Sequence, residues 1–295
     1  MAEFRTGRVQ ANGLTFETLE QGDGPLVLCL HGFPDHAWTF RHQLPALAEA
    51  GFRAVAPFQR GYAPTDVPPD GLYQSAALAT DAVALLDALS PGEPAFVFGH
   101  DWGAVAAYGA AVLAPRRIRR LATAAVPHGP ALFQAILTSY DQMRRSWYIF
   151  YFQLPTAEVG VAHDDFRFLE RIWADWSPDW SIPEDEMAAL KATFRKPGVL
   201  EAALAYYRHT FNPALQSPEL AELQTRMAAD PIEVPTLVLH GARDGCIGVE
   251  TLEGMEALFP RGLEKVVLPE LGHFLHQEAP GVVNAHLVEF FRAAL

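Results

Sequence analysis

The chain has 295 residues, 50% of them hydrophobic and 19% charged, with two cysteines and a formal net charge of −13. This is the composition of a globular chain able to bury a large core, and it excludes disorder and a disulfide-stapled scaffold. An acidic field repels phosphate, so neither nucleic acid nor an anionic membrane surface is expected as a partner.

Along the chain, Met1-Ala2-Glu3-Phe4-Arg5-Thr6 lacks the apolar segment of a signal peptide and no apolar run reaches membrane-spanning length, so a cytoplasmic protein is expected. Residues 8–20 alternate around Asn12-Gly13 and predict an edge hairpin. Residues 25–30, 52–56, 95–98, 118–125, 236–239 and 264–268 are apolar runs of the kind buried on both faces of a sheet. Helical patterns lie between them, clearest where Leu78, Ala82, Leu85, Leu86 and Leu89 share one face. Strands alternating with helices predict an α/β fold with a mostly parallel sheet and active residues at the strands' carboxyl ends.

The alternation stops between about Pro127 and Pro235, an interval that holds four of the six tryptophans. Its loss in mid-chain and later return predict an inserted helical cap. The expected organisation is a core of residues 1–129 and 229–295 with a cap of 130–228.

Asp101 is the most informative residue. It sits in Phe98-Gly99-His100-Asp101-Trp102-Gly103-Ala104, an apolar run followed by small-x-Asp-x-small and an alanine-rich helix, the layout of a nucleophile elbow. An aspartate between strand and helix is also a common N-cap. As a nucleophile it suits a saturated carbon, where it yields a stable alkyl ester, better than an acyl group, where it would yield a reactive anhydride.

Three further segments follow strands. Leu30-His31-Gly32-Phe33-Pro34 offers the Phe33 N–H, with that of Trp102, as an oxyanion donor pair worth ~3 kcal/mol per donor. Leu239-His240-Gly241-Ala242-Arg243-Asp244 supplies an acid and Glu270-Leu271-Gly272-His273-Phe274 a histidine. The order Asp101, Asp244, His273 is that of the triad on such a sheet, with His273 as base towards water and Asp244 as its orienting partner. His31, His100 and His240 read as structural. Nothing in the cysteine and histidine spacing suggests a metal, and no nucleotide fingerprint implies a cofactor.

In the middle of the chain stand Ser146-Trp147-Tyr148-Ile149-Phe150-Tyr151-Phe152-Gln153-Leu154-Pro155 and Ala205-Tyr206-Tyr207-Arg208-His209. With these the chain resembles the epoxide hydrolases of the α/β-hydrolase superfamily over nearly its whole length. The resemblance implies that His31-Gly32-Phe33-Pro34 is the oxyanion loop, that Asp101 is the nucleophile, and that one tyrosine from each mid-chain segment binds the epoxide oxygen. Carried over by motif these are Tyr148 and Tyr207, with Tyr151 and Tyr206 as the alternatives. Opening an epoxide develops an alkoxide, and a phenol can donate first a hydrogen bond and then a proton to it.

The expectation is therefore a cofactor-free hydrolysis of an apolar or aryl epoxide to a diol, in a pocket that includes Trp147, Phe152 and Phe274. The chain also resembles haloalkane dehalogenases, in fold, in His100-Asp101-Trp102-Gly103 and in triad order. Their second halide donor often follows His-Gly, where this chain has Phe33 without a side-chain N–H. Fluoroacetate dehalogenases usually have arginine where Trp102 stands. A non-catalytic binder would have no use for nucleophile, acid and base together. A homodimer through an apolar cap face stays open.

Overall fold

The computed structural model describes residues 4–295. Asn12 and Gly13, both in the left-handed region at φ 46° and 76°, reverse β1 (Arg5–Ala11) into β2 (Leu14–Gln21), the geometry that a two-residue hairpin requires. β3 (Leu26–Leu30), β4 (Arg53–Pro57), β5 (Ala95–His100), β6 (Ile118–Ala124), β7 (Thr236–Gly241) and β8 (Leu263–Leu268) complete one sheet, ordered β1-β2-β4-β3-β5-β6-β7-β8. Only the β1–β2 and β2–β4 pairs are antiparallel. Every residue of β3, β5 and β7 is buried, which is why these strands read as unbroken apolar runs rather than alternating ones.

Helices α1 (Gln43–Glu49), α2 (Ser75–Leu89) and α3 (Trp102–Leu113) belong to the first half of the sheet. Between β6 and β7 every regular element is a helix and there is no strand. The chain there forms α4 (Ala131–Thr138), α5 (Tyr140–Arg145), α6 (Trp147–Phe152), α7 (Ala157–Trp176), α8 (Glu184–Phe194), α9 (Val199–Phe211) and α10 (Ala221–Ala229), with short 3-10 turns. α7 is broken by a left-handed stretch in which Asp164, Asp165 and Phe166 have φ of 50°, 54° and 58°. After β8 come α11 (Leu275–Glu278) and α12 (Pro280–Arg292).

α1 packs with α12, and α2 with α3, so the parallel strands are covered by two helix layers. Each large apolar side chain buried in these layers contributes roughly 1.5–3 kcal/mol relative to exposure. Among the described residues no helix is long and apolar enough to cross a membrane. The carboxyl ends of β3, β5 and β7, together with the loop after β8, all open on the side where α6 to α9 lie.

Candidate active site

Asp101 follows β5 directly and starts α3 with φ 52° and ψ −121°. Such a conformation costs a non-glycine residue ~1–3 kcal/mol and persists only where its surroundings enforce it. Two close approaches do so. A Cβ on Gly103 would run into the Leu30 carbonyl, and one on Gly32 would run into the Asp101 carboxylate itself. The turn thus holds the side chain against the loop after β3. Asp101 makes no side-chain capping bond to α3. Its Oδ1 instead accepts the Phe33 N–H at 2.6 Å.

His273, in the loop after β8, turns Nε2 towards Asp101 Oδ2 at 3.6 Å and donates from Nδ1 to Asp244 Oδ2 at 2.9 Å. The other Asp244 oxygen accepts the N–H groups of Cys246 and Ile247 at 2.7 and 2.9 Å, so the acid cannot rotate. Burial alone would keep His273 neutral, but Asp244 and Asp101 raise it to about 10. Burial would push Asp244 up; the His273 charge outweighs it and holds the carboxyl below its usual range.

The three structural histidines brace the same loops. His31 donates to the Gly32 carbonyl and accepts the Gln59 N–H, His100 donates to the His273 carbonyl at 2.9 Å, and His240 donates to the Ile247 carbonyl at 3.0 Å. Burial lowers all three and keeps them neutral, with a ring nitrogen of each engaged in these contacts.

A cavity of about 440 Å³ reaches Asp101 and Trp102, with Tyr148 of α6 and Tyr207 of α9 in its wall. The two phenol rings meet edge to face, 5.5 Å apart at 88°. The Tyr207 hydroxyl and the nearby Trp102 Nε1 are buried without a well-formed hydrogen bond, His273 Nε2 has only Asp101 at 3.6 Å, and the Tyr148 hydroxyl has only the Cys246 thiol, at 3.3 Å. Burial raises both phenols well above 10, so they are proton donors at any working pH. Tyr206 is committed elsewhere, donating to the Arg60 carbonyl at 2.8 Å, and Tyr151 stacks on Phe168 outside the cavity.

The expected pocket aromatics are not on this wall. Trp147 is 44% exposed on the far side of α6, against Tyr151 and Phe168, because a six-residue helix presents Tyr148 and Trp147 to different sides. Phe152 and Phe274 are fully buried one layer back, Phe152 against Phe33 and Tyr207, Phe274 stacked on Trp173. The wall is built from Val105, Leu132, Phe133, Ile136, Phe211 and Ile247.

Residues 25–280 match the alpha/beta hydrolase fold family. This chain belongs to that family. It is 30% identical to an AB hydrolase superfamily protein of Bacillus subtilis, over 96% of each chain. Epoxide hydrolase A of Mycobacterium tuberculosis is also 30% identical, over 96% of this chain and 95% of that one. A Klebsiella pneumoniae structure solved as a candidate epoxide hydrolase superposes with a TM-score of 0.87 at 29% identity, covering 98% of this chain and 97% of that one.

Some parts of this α/β-hydrolase site carry no sequence signal. The end of α7 braces the loops that carry Asp244 and His273: the Trp176 carbonyl accepts the N–H groups of Gly245 and His273, and Ser177 Oγ accepts that of Phe274. Glu278 then holds Ser177 and the Gly272 N–H. Cys246, two residues after Asp244, had only its proximity to mark it. Donor atoms of Asp244, Cys246 and His273 lie within 4.8 Å of one another, the one grouping among the described residues that could hold a metal. Burial keeps that thiol protonated, and the carboxylate and imidazole are already spent on each other.

Proposed function

We propose that this protein is an epoxide hydrolase that opens an apolar or aryl epoxide through a covalent ester on Asp101, with residues 130–228 as a cap over a core of 1–129 and 229–295. The observation that carries the reading is the meeting of two buried phenols, Tyr148 and Tyr207, over a carboxylate that already faces a His–Asp pair.

In the first step a carboxylate oxygen of Asp101 attacks the less hindered or more activated epoxide carbon. The C–O bond breaks, and the alkoxide takes a proton from a phenol that was hydrogen-bonded to it. The apolar wall strengthens those bonds by excluding water. His273 is held protonated by two carboxylates, and esterification removes the charge of one. The imidazole then gives up its proton, which ends on the phenolate and restores the phenol, and it becomes a base only after the ester exists.

In the second step His273 takes a proton from water, and the hydroxide adds to the ester carbonyl. The N–H groups of Phe33 and Trp102 hold the resulting oxyanion. Its collapse breaks the ester C–O bond; the departing alkoxide takes the proton of the newly added hydroxyl, so a vicinal diol leaves, Asp101 is again a carboxylate, and His273 keeps the proton it took from water.

A paired assay tests this: styrene oxide followed for diol and a primary bromoalkane followed for bromide, with wild type, Tyr148→Phe, Tyr207→Phe and mass-verified Asp101→Asn. Diol without bromide is expected, lost in the asparagine variant and reduced about 10- to 100-fold by each phenylalanine. Bromide without diol would make the protein a dehalogenase, with the unpartnered Trp102 indole as halide donor.

A further inference from the structure

Tyr148 and Tyr207 differ in one respect. The Tyr207 hydroxyl lies near the Trp102 indole but makes no well-formed hydrogen bond, whereas that of Tyr148 contacts Cys246 Sγ at 3.3 Å. The sulfur lies at the junction of the site, within 4.8 Å of donor atoms on both Asp244 and His273. Its place is fixed by the main chain, because the Cys246 N–H is bonded to Asp244 Oδ1 and the Cys246 carbonyl accepts the Gln142 side-chain amide at 2.9 Å. Both Cys246 and Tyr148 are buried. Cys246 therefore ties the loop of the catalytic acid to the helix that carries a phenol.

A neutral thiol is a weak acceptor. A carboxylate or carbonyl in its place would hold the Tyr148 proton tightly, and that bond would have to break when the substrate oxygen arrives. With no partner at all, the hydroxyl would rotate freely and its orientation would have to be fixed during the reaction. Sulfur avoids both costs. It aims the hydroxyl in the resting state and gives it up readily to the stronger acceptor, the developing alkoxide.

We propose that Cys246 is a positioning residue for epoxide opening, holding the Tyr148 hydroxyl in line for the substrate oxygen and releasing it as the ring opens. The assignment rests on the roles given above to Asp101 and Tyr148. It is specific to the first half-reaction, since ester hydrolysis runs through His273 and the oxyanion donors.

The test is a single-turnover experiment with styrene oxide, acid-quenched and read by intact-protein mass spectrometry, which follows formation and decay of the Asp101 ester separately. Cys246→Ala is expected to slow ester formation about three- to fivefold, the worth of one weak hydrogen bond, and to leave decay unchanged. Cys246→Ser, which keeps an acceptor, should recover part of the loss. In a Tyr148→Phe background Cys246→Ala should cost nothing further, because the hydroxyl it positions is gone. Cys246→Val, which fills the space without offering any hydrogen-bond acceptor, replaces the alanine variant if the latter's melting temperature falls.

Unchanged ester formation in Cys246→Ala and Cys246→Val overturns the proposal. Additive losses in the double variant overturn it equally, as does slowed decay with intact formation, which would make the thiol a support for Asp244 and His273. A wild-type protein that forms no ester while still producing diol would remove the aspartate reading itself, and this proposal with it.

Discussion

His273 is the residue on which chemistry and stability are most tightly joined. Its pKa, raised against burial by Asp244 and Asp101 to about 10, lies above the ordinary imidazole value of 6.5. A group raised in this way contributes stability that is complete below the unfolded pKa and is lost as pH climbs through the folded one. The contribution is therefore present at pH 6.5 and fades towards pH 10. Asp101→Asn removes one of the two charges that raise the pKa, so the fall in its melting temperature should still begin near pH 6.5 but be smaller, and end at lower pH, than that of wild type. Thermal unfolding of both proteins across this range checks it, and superimposable profiles would disconnect Asp101 from the titration of His273. In the proposed mechanism the same charge sets the order of the two chemical steps, because the imidazole would be released to act as base by the event that creates its substrate.

At the scale of elements, the site depends on how α6 and α9 are held together. Arg208, next to Tyr207 on α9, donates to the Phe152 and Leu154 carbonyls at 2.8 and 3.0 Å and pairs with Glu158 at the start of α7. Its guanidinium thus closes the carboxyl end of the helix that carries Tyr148, where a cation is favoured by the unpaired carbonyls. Arg208→Met should destabilise the protein by about 2 kcal/mol and lower kcat/KM for an epoxide about tenfold, since two phenols must reach one oxygen. A lower melting temperature with unaltered kcat/KM would show that the clamp is only structural.

Sequence and structure agree unevenly at this scale, for physical reasons. Strands buried on both faces announce themselves as apolar runs, so the sheet was legible, as was the placement of Asp101, Asp244 and His273 after strands; β5 runs to His100, two residues past the expected end, because Gly99 and His100 read as part of the motif. The cap tyrosines were not separable by pattern. Tyr148 and Tyr151 are three residues apart on one short helix, and Tyr206 and Tyr207 are neighbours, so only packing decides which phenol meets Asp101. Trp147 misled because aromatic character does not say which side of α6 faces inward. The bracing of the catalytic loops by Trp176 and Ser177 joins residues roughly a hundred positions from Phe274 and His273, and no local pattern encodes it.

At the scale of the whole molecule, net charge bears on which epoxides are accepted. The chain carries a formal −13, and no lysine or arginine lines the cavity that reaches Asp101. The histidine in its wall, His128, is lowered by burial to about 4 and is neutral at working pH. An epoxide bearing a carboxylate therefore meets a repulsive field on approach and finds no cation on arrival, next to the carboxylate proposed as nucleophile. A neutral epoxide meets neither obstacle. Raising ionic strength from about 0.01 to 0.1 M shortens the screening length from ~30 to ~10 Å, which weakens the approach term while leaving the buried contacts almost untouched. Accordingly kcat/KM for styrene oxide should be flat across that range. For a carboxylate-bearing aryl epoxide of similar size it should be lower throughout and rise several-fold with salt, without reaching the neutral value, because the desolvation of an unpaired anion remains. An anionic epoxide turned over as efficiently as the neutral one at low salt would mean that a cation from outside the present wall reaches the substrate, and the reading of the cavity as a site for neutral apolar epoxides would fail.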